Sequence, residues 1–142
     1  MRLVSHLLID KGVDVVTTTP NTSVRDAIKV MAERSIGALL VMDGESLAGI
    51  ITERDYARKV ILKGRSSADT PVRDIMTAKV YSASRRNTVN ECMHMMTEHR
   101  IRHLPVVELG KVIGIISIGD LVKAIIADQQ EEIAQLAQYI TG

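Results

Sequence analysis

Gly49-Ile50-Ile51-Thr52-Glu53-Arg54-Asp55 returns later in the chain as Gly114-Ile115-Ile116-Ser117-Ile118-Gly119-Asp120. Each copy reads as a small residue, a two-residue apolar run, a hydroxyl, two spacers and a carboxylate. A helical pattern follows both times, Tyr56-Ala57-Arg58-Lys59-Val60 and Leu121-Val122-Lys123-Ala124-Ile125. The apolar run predicts a buried strand. Thr52 or Ser117 stands where a helix N-cap belongs, and Asp55 or Asp120 falls in the first helical turn. A capping role alone accounts for one such copy. A second copy calls for more.

A shift of 65 residues (49 to 114) aligns much of the chain without a gap. Val15 falls on Val80, Val24 on Val89, Met31 on Met96, Ile36 on Ile101, Leu39 on Leu104 and Val41 on Val106. Such self-similarity marks a duplicated supersecondary unit, and two copies favour a closed pseudo-twofold pair over a solenoid.

Helical spacing of Leu3, Val4, Leu7 and Leu8 predicts a short helix over residues 2–10, stopped by Lys11-Gly12. Val13 to Thr17 reads as a strand. Thr22 or Ser23 then caps a helix that carries Val24, Ala27, Ile28 and Met31 on one face. Ile36 to Met42 and Leu47 to Ile51 form a hairpin about Asp43-Gly44, and a helix follows Thr52 to about Leu62. The unit is β-α-β-β-α. Its second copy has a helical turn at Pro71–Met76, a strand at Val80–Ser82, a helix at Val89–Glu98, a hairpin of Ile101–Val107 with Val112–Ile116, and a helix from Leu121 to Ile140. The expected fold class is therefore α/β (α+β). Two β-α-β-β-α units pack sheet to sheet with clefts between them, where ligands tend to bind. The expected domains are 1–64 and 72–142, joined by the polar linker 65–71.

The composition narrows the function. Of 142 residues, 46% are hydrophobic and 25% charged, as in ordinary globular proteins. Three Tyr with no Phe or Trp leave few platforms for stacking single-stranded nucleic acid, and a net charge of +1 gives no general attraction to nucleic acid or anionic lipid. No apolar run is long enough to span a bilayer, and no secretory signal opens the chain. The expected location is cytoplasmic. Cys92 is the only cysteine, so no internal disulfide forms.

The paired Gly-apolar-apolar-(Thr/Ser)-x-x-Asp motifs, Arg102-His103-Leu104-Pro105-Val106 and Val72-Arg73-Asp74-Ile75-Met76-Thr77 together resemble a tandem cystathionine-β-synthase (CBS) domain pair, or Bateman module. The resemblance covers about the whole chain. It implies a sensor of adenine nucleotides rather than an enzyme, with AMP the first expectation and ATP, NAD(H) or S-adenosylmethionine further ones. No catalytic residue, catalytic cofactor or metal is expected.

A carboxylate suits the two ribose hydroxyls, since it accepts a hydrogen bond from each. That assigns Asp55 and Asp120. Thr52 and Ser117 serve ribose or phosphate beside the helix N–H groups, and Arg54 serves phosphate. Its counterpart Gly119 instead lets backbone approach closely. By the resemblance, each Asp works with the other copy's first strand. Asp120 goes with Lys11, Asp14 and Val16; Asp55 goes with Lys79, Val80 and Tyr81, whose ring suits adenine. Arg102 and His103 face phosphate in the family, whereas their repeat partners are Gly37 and Ala38. The clefts are thus unequal, and the Asp120 site is the expected tighter one.

Plainer roles stand beside these. Arg102 and His103 also fit an edge strand, Tyr81 fits simple packing, and Lys11 and Asp14 fit a solvated loop. Cys92 and His94, two apart on a helix, face different ways and make a poor metal pair. The resemblance implies a homodimer as well. A ligand-independent interaction module is the competing function, motivated by the apolar Ile133, Leu136 and Ile140 on the long last helix.

Overall fold

The computed structural model describes residues 2–11 and 14–141. The chain forms two compact units, one of Asp14–Tyr81 and one of Met1–Val13 together with Ser82–Gly142. The first helix therefore belongs with the second repeat, across the 1–64 and 72–142 boundaries read from the sequence. Its apolar face explains why. Val4, Leu7 and Leu8 are buried in one cluster with Val89, Cys92, Met96, Leu104, Val106, Ile116 and Leu121. In the other unit Val72 and Ile75 are buried with Val24, Met31, Leu39, Val41, Ile51 and Val60.

The 14–81 unit holds β1 (Thr17–Thr18), α2 (Val24–Arg34), β2 (Ala38–Asp43), β3 (Ser46–Thr52) and α3 (Glu53–Tyr56), which runs on as a π-helical segment at Ala57–Ile61. A 3-10 turn follows at Val72–Asp74. The sheet order is β1-β2-β3, with β1 parallel and β3 antiparallel to β2. Ser23, not Thr22, caps α2: its hydroxyl accepts the Asp26 N–H. The helix buries Val24, Ala27 and Met31 and ends on Ser35 in the left-handed region. Two expectations need correction. The first strand is Thr17–Thr18 rather than Val13–Thr17, with Val13 outside the described residues. The helix after Thr52 is α-helical for four residues only before its bonds lengthen, the Leu62 N–H reaching Ala57 O at 3.1 Å.

The other unit holds α1 (Val4–Lys11), α4 (Val89–His99), β4 (His103–Glu108), β5 (Lys111–Ser117) and α5 (Ile118–Thr141). The strand expected at Val80–Ser82 does not form. A single parallel bridge, Ala83 to Val106, stands in its place. The next N–H on the β4 side, that of Arg85, donates to the Glu108 carboxylate at 2.7 Å instead of to the strand backbone, so pairing ends after one bridge. Thr88 and Glu91 cap α4 reciprocally.

Backbone details repeat at the 65-residue shift. Thr18 pairs with Val41 as Ala83 does with Val106, and a bulge follows both Val41 and Val106. Ser35 and Arg100 both adopt left-handed φ, 53° and 54°. The flanking segments do not keep this shift. The Val4 N–H donates to Asn87 O as Val72 does to Thr22 O, and Val89 to Arg2 O as Val24 to Thr70 O. Leu8 lies on Gly114 as Met76 lies on Gly49. These equivalences run at 68 residues (8 to 76), so the ungapped repeat slips by three before its first strand. The reason is local. The 3-10 turn gives way to extended chain, and Thr77 exchanges two backbone bonds with Ile50. In the other unit α1 instead winds on to Lys11.

Candidate functional site

Each hydroxyl-x-x-carboxylate element is a reciprocal helix cap. The Asp55 N–H donates to Thr52 Oγ1 at 3.1 Å, while Asp55 Oδ2 accepts from the Thr52 N–H and hydroxyl, both at 3.0 Å. The second copy repeats this at 2.8 Å (Ser117 N), 3.0 Å (Ser117 Oγ) and 3.3 Å (Asp120 N). The strands fix where these caps stand. Thr52 lies opposite Ala38 and Ser117 opposite His103. The next helical N–H groups, of Glu53 and Ile118, donate to Gly37 O at 3.0 Å and Arg102 O at 2.9 Å. Gly37 and Arg102 thus anchor their helices through carbonyls, whatever their side chains. The plain capping role and the orientation of a carboxylate are one arrangement, because the cap holds the carboxyl at the strand end.

A lysine meets each carboxylate. Lys11 Nζ lies 2.6 Å from Asp120 Oδ2 and donates to Ile115 O at 2.8 Å. Lys59 Nζ lies 3.2 Å from Asp55 Oδ1 and donates to Ile75 O at 2.8 Å. Lys11 comes from α1, far off in sequence. Lys59 comes from one turn further along the helix that Asp55 itself opens. Sequence reasoning named Lys11 and missed Lys59, although the i,i+4 acid–base spacing of Asp55 and Lys59 was the signal.

The Asp120 cluster is the more perturbed. Burial alone would raise the Asp120 carboxyl, but the hydrogen bond from Lys11, then the Ser117 N–H, outweigh it and hold the carboxyl below its ordinary range. For His103, burial and then the Lys11 ammonium lower the imidazole below its ordinary value, against the opposing pull of Asp120. Lys11, His103, Ser117 and Asp120 therefore form one electrostatic group, with Arg102 also acting on His103.

The other expected residues fall less tightly. Asp14 and Val16 belong to the 14–81 unit and Asp120 to the other. Lys79, Val80 and Tyr81 share the unit of Asp55. A single antiparallel bridge, Ile50 to Thr77, brings the segment before Lys79 against β3. Arg54 is exposed on α3. A Cβ on Gly119 would meet only Ser117 Oγ, at 3.6 Å, so no tight approach of the chain requires glycine there. A pocket of about 250 Å³ in the 14–81 unit is lined by Ile28, Met31, Ser35, Ile36, Gly37 and Glu53, among others. It takes in Gly37 but neither Thr52 nor Asp55. No group of three or more metal-ligating side chains gathers among the described residues. Cys92 is buried, and burial followed by the charge of Glu91 pushes its thiol up to about 11.

This doubled architecture has known counterparts. The family model for the CBS domain matches residues 4–62 and again 72–127. The chain belongs to the CBS domain family. It carries the domain as a tandem pair. A mitochondrial CBS domain-containing protein of Arabidopsis thaliana, CBSX3, is 45% identical over 129 residues, 87% of this chain. The chain spans 63% of that protein's length. A solved protein with CBS domains from Burkholderia ambifaria is 58% identical, with a TM-score of 0.87 over 90% of this chain and 96% of that one. The CBS domain pair of protein MJ0100, solved in complex with 5-methylthioadenosine and S-adenosyl-L-methionine, is 26% identical at a TM-score of 0.80, covering 90% and 98%. Among the described residues, no helix is long and apolar enough to cross a membrane.

Proposed function

We propose that this CBS pair is a non-enzymatic adenine-nucleotide sensor of the AMP, ATP or NAD class, which changes conformation or partner contacts when its ligand binds. One observation carries the reading. Two carboxylates are held by identical reciprocal caps at strand ends, and one of them gathers Lys11, His103 and Ser117 around it. The adenosine-type ligands of the related MJ0100 pair support the same ligand class.

In this reading the ribose hydroxyls donate to Asp120 and, at a second site, to Asp55. Asp120 Oδ2 already accepts from Ser117 and Lys11, so the ligand takes the place of the lysine. The released Lys11 ammonium, with Arg102, then faces phosphate. Such a ligand acts as a signal only through unequal affinity for two states of the protein. AMP is the preferred member because the two cations Lys11 and Arg102 match a single phosphate.

A thermal-shift panel of AMP, ADP, ATP, NAD, NADH and S-adenosylmethionine tests this, on protein stripped of carried-over nucleotide. A ligand at about 100 times its dissociation constant stabilises by roughly 2.7 kcal/mol. The reading fails if none of the six moves the melting temperature.

A second reading is a ligand-independent interaction module that acts as a homodimer. The exposed apolar side chains along the outer half of α5 favour it.

A further inference from the structure

Every residue from Gln129 to Thr141 on α5 is exposed, yet this half of the helix is not polar all round. Ile133 is 66% exposed, Leu136 62% and Ile140 80%, and the line continues inward through Ile126 at 48% and Val122 at 43%. The side chains that α5 buries in its own unit, Leu121 and Ala124, lie on a different face. A helical segment this short is marginal in water without a packed face.

The spacing of the exposed line is specific. Val122, Ile126, Gln129, Ile133, Leu136 and Ile140 follow one another at steps of four and three, the a/d seam of a heptad repeat. Ile126, Ile133 and Ile140 occupy a; Val122, Gln129 and Leu136 occupy d. In a parallel coil isoleucine at every a position favours two strands, and parallel in-register pairing sets Gln129, the one polar residue of the seam, against another glutamine rather than an apolar side chain. From these observations we propose that the outer half of α5 pairs with the same segment of a second copy as a parallel two-stranded coiled coil, with Gln129 facing Gln129 of the second copy. This deepens the homodimer reading and stands apart from nucleotide binding.

Charge agrees with the parallel arrangement. Lys123 and Glu132 are the only charged residues at e and g between Val122 and Ile140. Glu132 at g meets Ala137 at the following e of the second copy, so no like charges face each other. Size sets the strength. The twelve a, d, e and g positions between Val122 and Ile140 are about half the 20–30 residues that each partner gives a standard interface, or roughly 400 Å² per copy. That area belongs to a weak, concentration-dependent dimer.

Single-cysteine reporters test the pairing in the full chain, since Cys92 is buried and silent. Leu136→Cys sits in the seam and Glu131→Cys on the outer face. Under mild oxidation at tens of micromolar, Leu136→Cys is expected to form interchain disulfide at least tenfold faster than Glu131→Cys. Both variants should keep the parent melting temperature when reduced. Equal rates overturn the coiled coil. A faster bond between Leu136→Cys and Ile126→Cys chains than between two Leu136→Cys chains overturns the parallel arrangement. An Ile133→Glu, Leu136→Glu variant, checked for the same melting temperature, should lose the concentration-dependent rise in sedimentation coefficient. Persistence of that rise also sinks the proposal.

Discussion

Leu8 fills the space over Gly114 so closely that a Cβ on that glycine would stand 2.6 Å from Leu8 Cδ2. Met76 does the same over Gly49, at 2.8 Å from its Sδ, but there the Thr77 carbonyl also lies 2.7 Å from the added carbon. The two glycines of the repeated motif exist to admit these neighbours. Leu8 ends in a flexible branch. Thr77 is held in a two-bond bridge to Ile50 and has nowhere to move. Gly49→Ala is therefore expected to destabilise by about 2–3 kcal/mol and Gly114→Ala by about 1 kcal/mol, within the usual range for overpacking. Urea denaturation of the two variants checks the order, and a larger loss at Gly114 would contradict it.

Lys11 and Asp120 make stability depend on acid in a defined direction. The Asp120 carboxyl is lowered on folding, so its contribution is present above the unfolded value of about 4 and is lost as pH falls through the folded value. The His103 imidazole is lowered too, so its contribution is present above about 6.5 and is lost as pH falls through its folded value. Stability should thus fall in two stages on acidification. His103→Gln should flatten the upper stage and Asp120→Asn the lower, read from urea midpoints between pH 3 and pH 8.

The proposed displacement of Lys11 by ligand has its own signature. An ion pair at this level of exposure contributes roughly 0.2–1 kcal/mol. Lys11→Met should therefore tighten adenosine, which has no phosphate to gain from the lysine, by about 1.4- to 5-fold. It should leave AMP unchanged or weaker. Isothermal titration of both ligands decides this, and weaker adenosine binding would show that Lys11 helps hold the nucleoside.

Leu109 is fully exposed at φ 50°, in the hairpin position where the other repeat has Gly44 at φ 63°. A leucine gains nothing from burial there and carries the steric cost of the left-handed region. Leu109→Gly or Leu109→Asn is expected to raise stability by about 0.5–1 kcal/mol. Thermal melts of the two variants are the check; a decrease in both would show that the turn is not strained.

Cys92 should not react in the folded protein. Its thiol is buried and pushed up to about 11, so at pH 8 almost none is thiolate. An aromatic disulfide reagent should label it only at the rate of unfolding, and fully in urea. Fast labelling of the native protein would reopen a redox role.

The repeat was legible because burial imposes it. Val24, Met31, Leu39 and Ile51 keep their spacing, and the caps at Thr52 and Ser117 are written as hydroxyl-x-x-carboxylate. The three-residue slip was not legible, because it lies where the repeated pattern is only apolar. Val4 and Leu8 match Val72 and Met76 in kind, and nothing in a run of aliphatic residues says whether a helix ends at its first turn or winds on to Lys11. The missing strand at Val80–Ser82 has a similar origin. Its residue types suit a strand, and the Glu108 side chain that claims the Arg85 N–H lies outside the run. The Lys11–Asp120 contact came from family position, whereas the Lys59–Asp55 contact lay in plain helical spacing.

The burial of Val4, Leu7 and Leu8 with residues of the second repeat governs how the protein can be dissected. A scission placed in the polar linker severs each half from a piece of its own hydrophobic interior. The first fragment keeps a helix with nothing to cover, and loses Val72 and Ile75. The second loses the lid over Gly114. Cuts after residues 13 and 81 instead release 14–81 with its interior whole, and the remaining segments must be supplied together, in trans or by splicing residues 1–13 to the 82–142 stretch through a designed tether. The homologous repeat and the compact unit are therefore different pieces of this polypeptide.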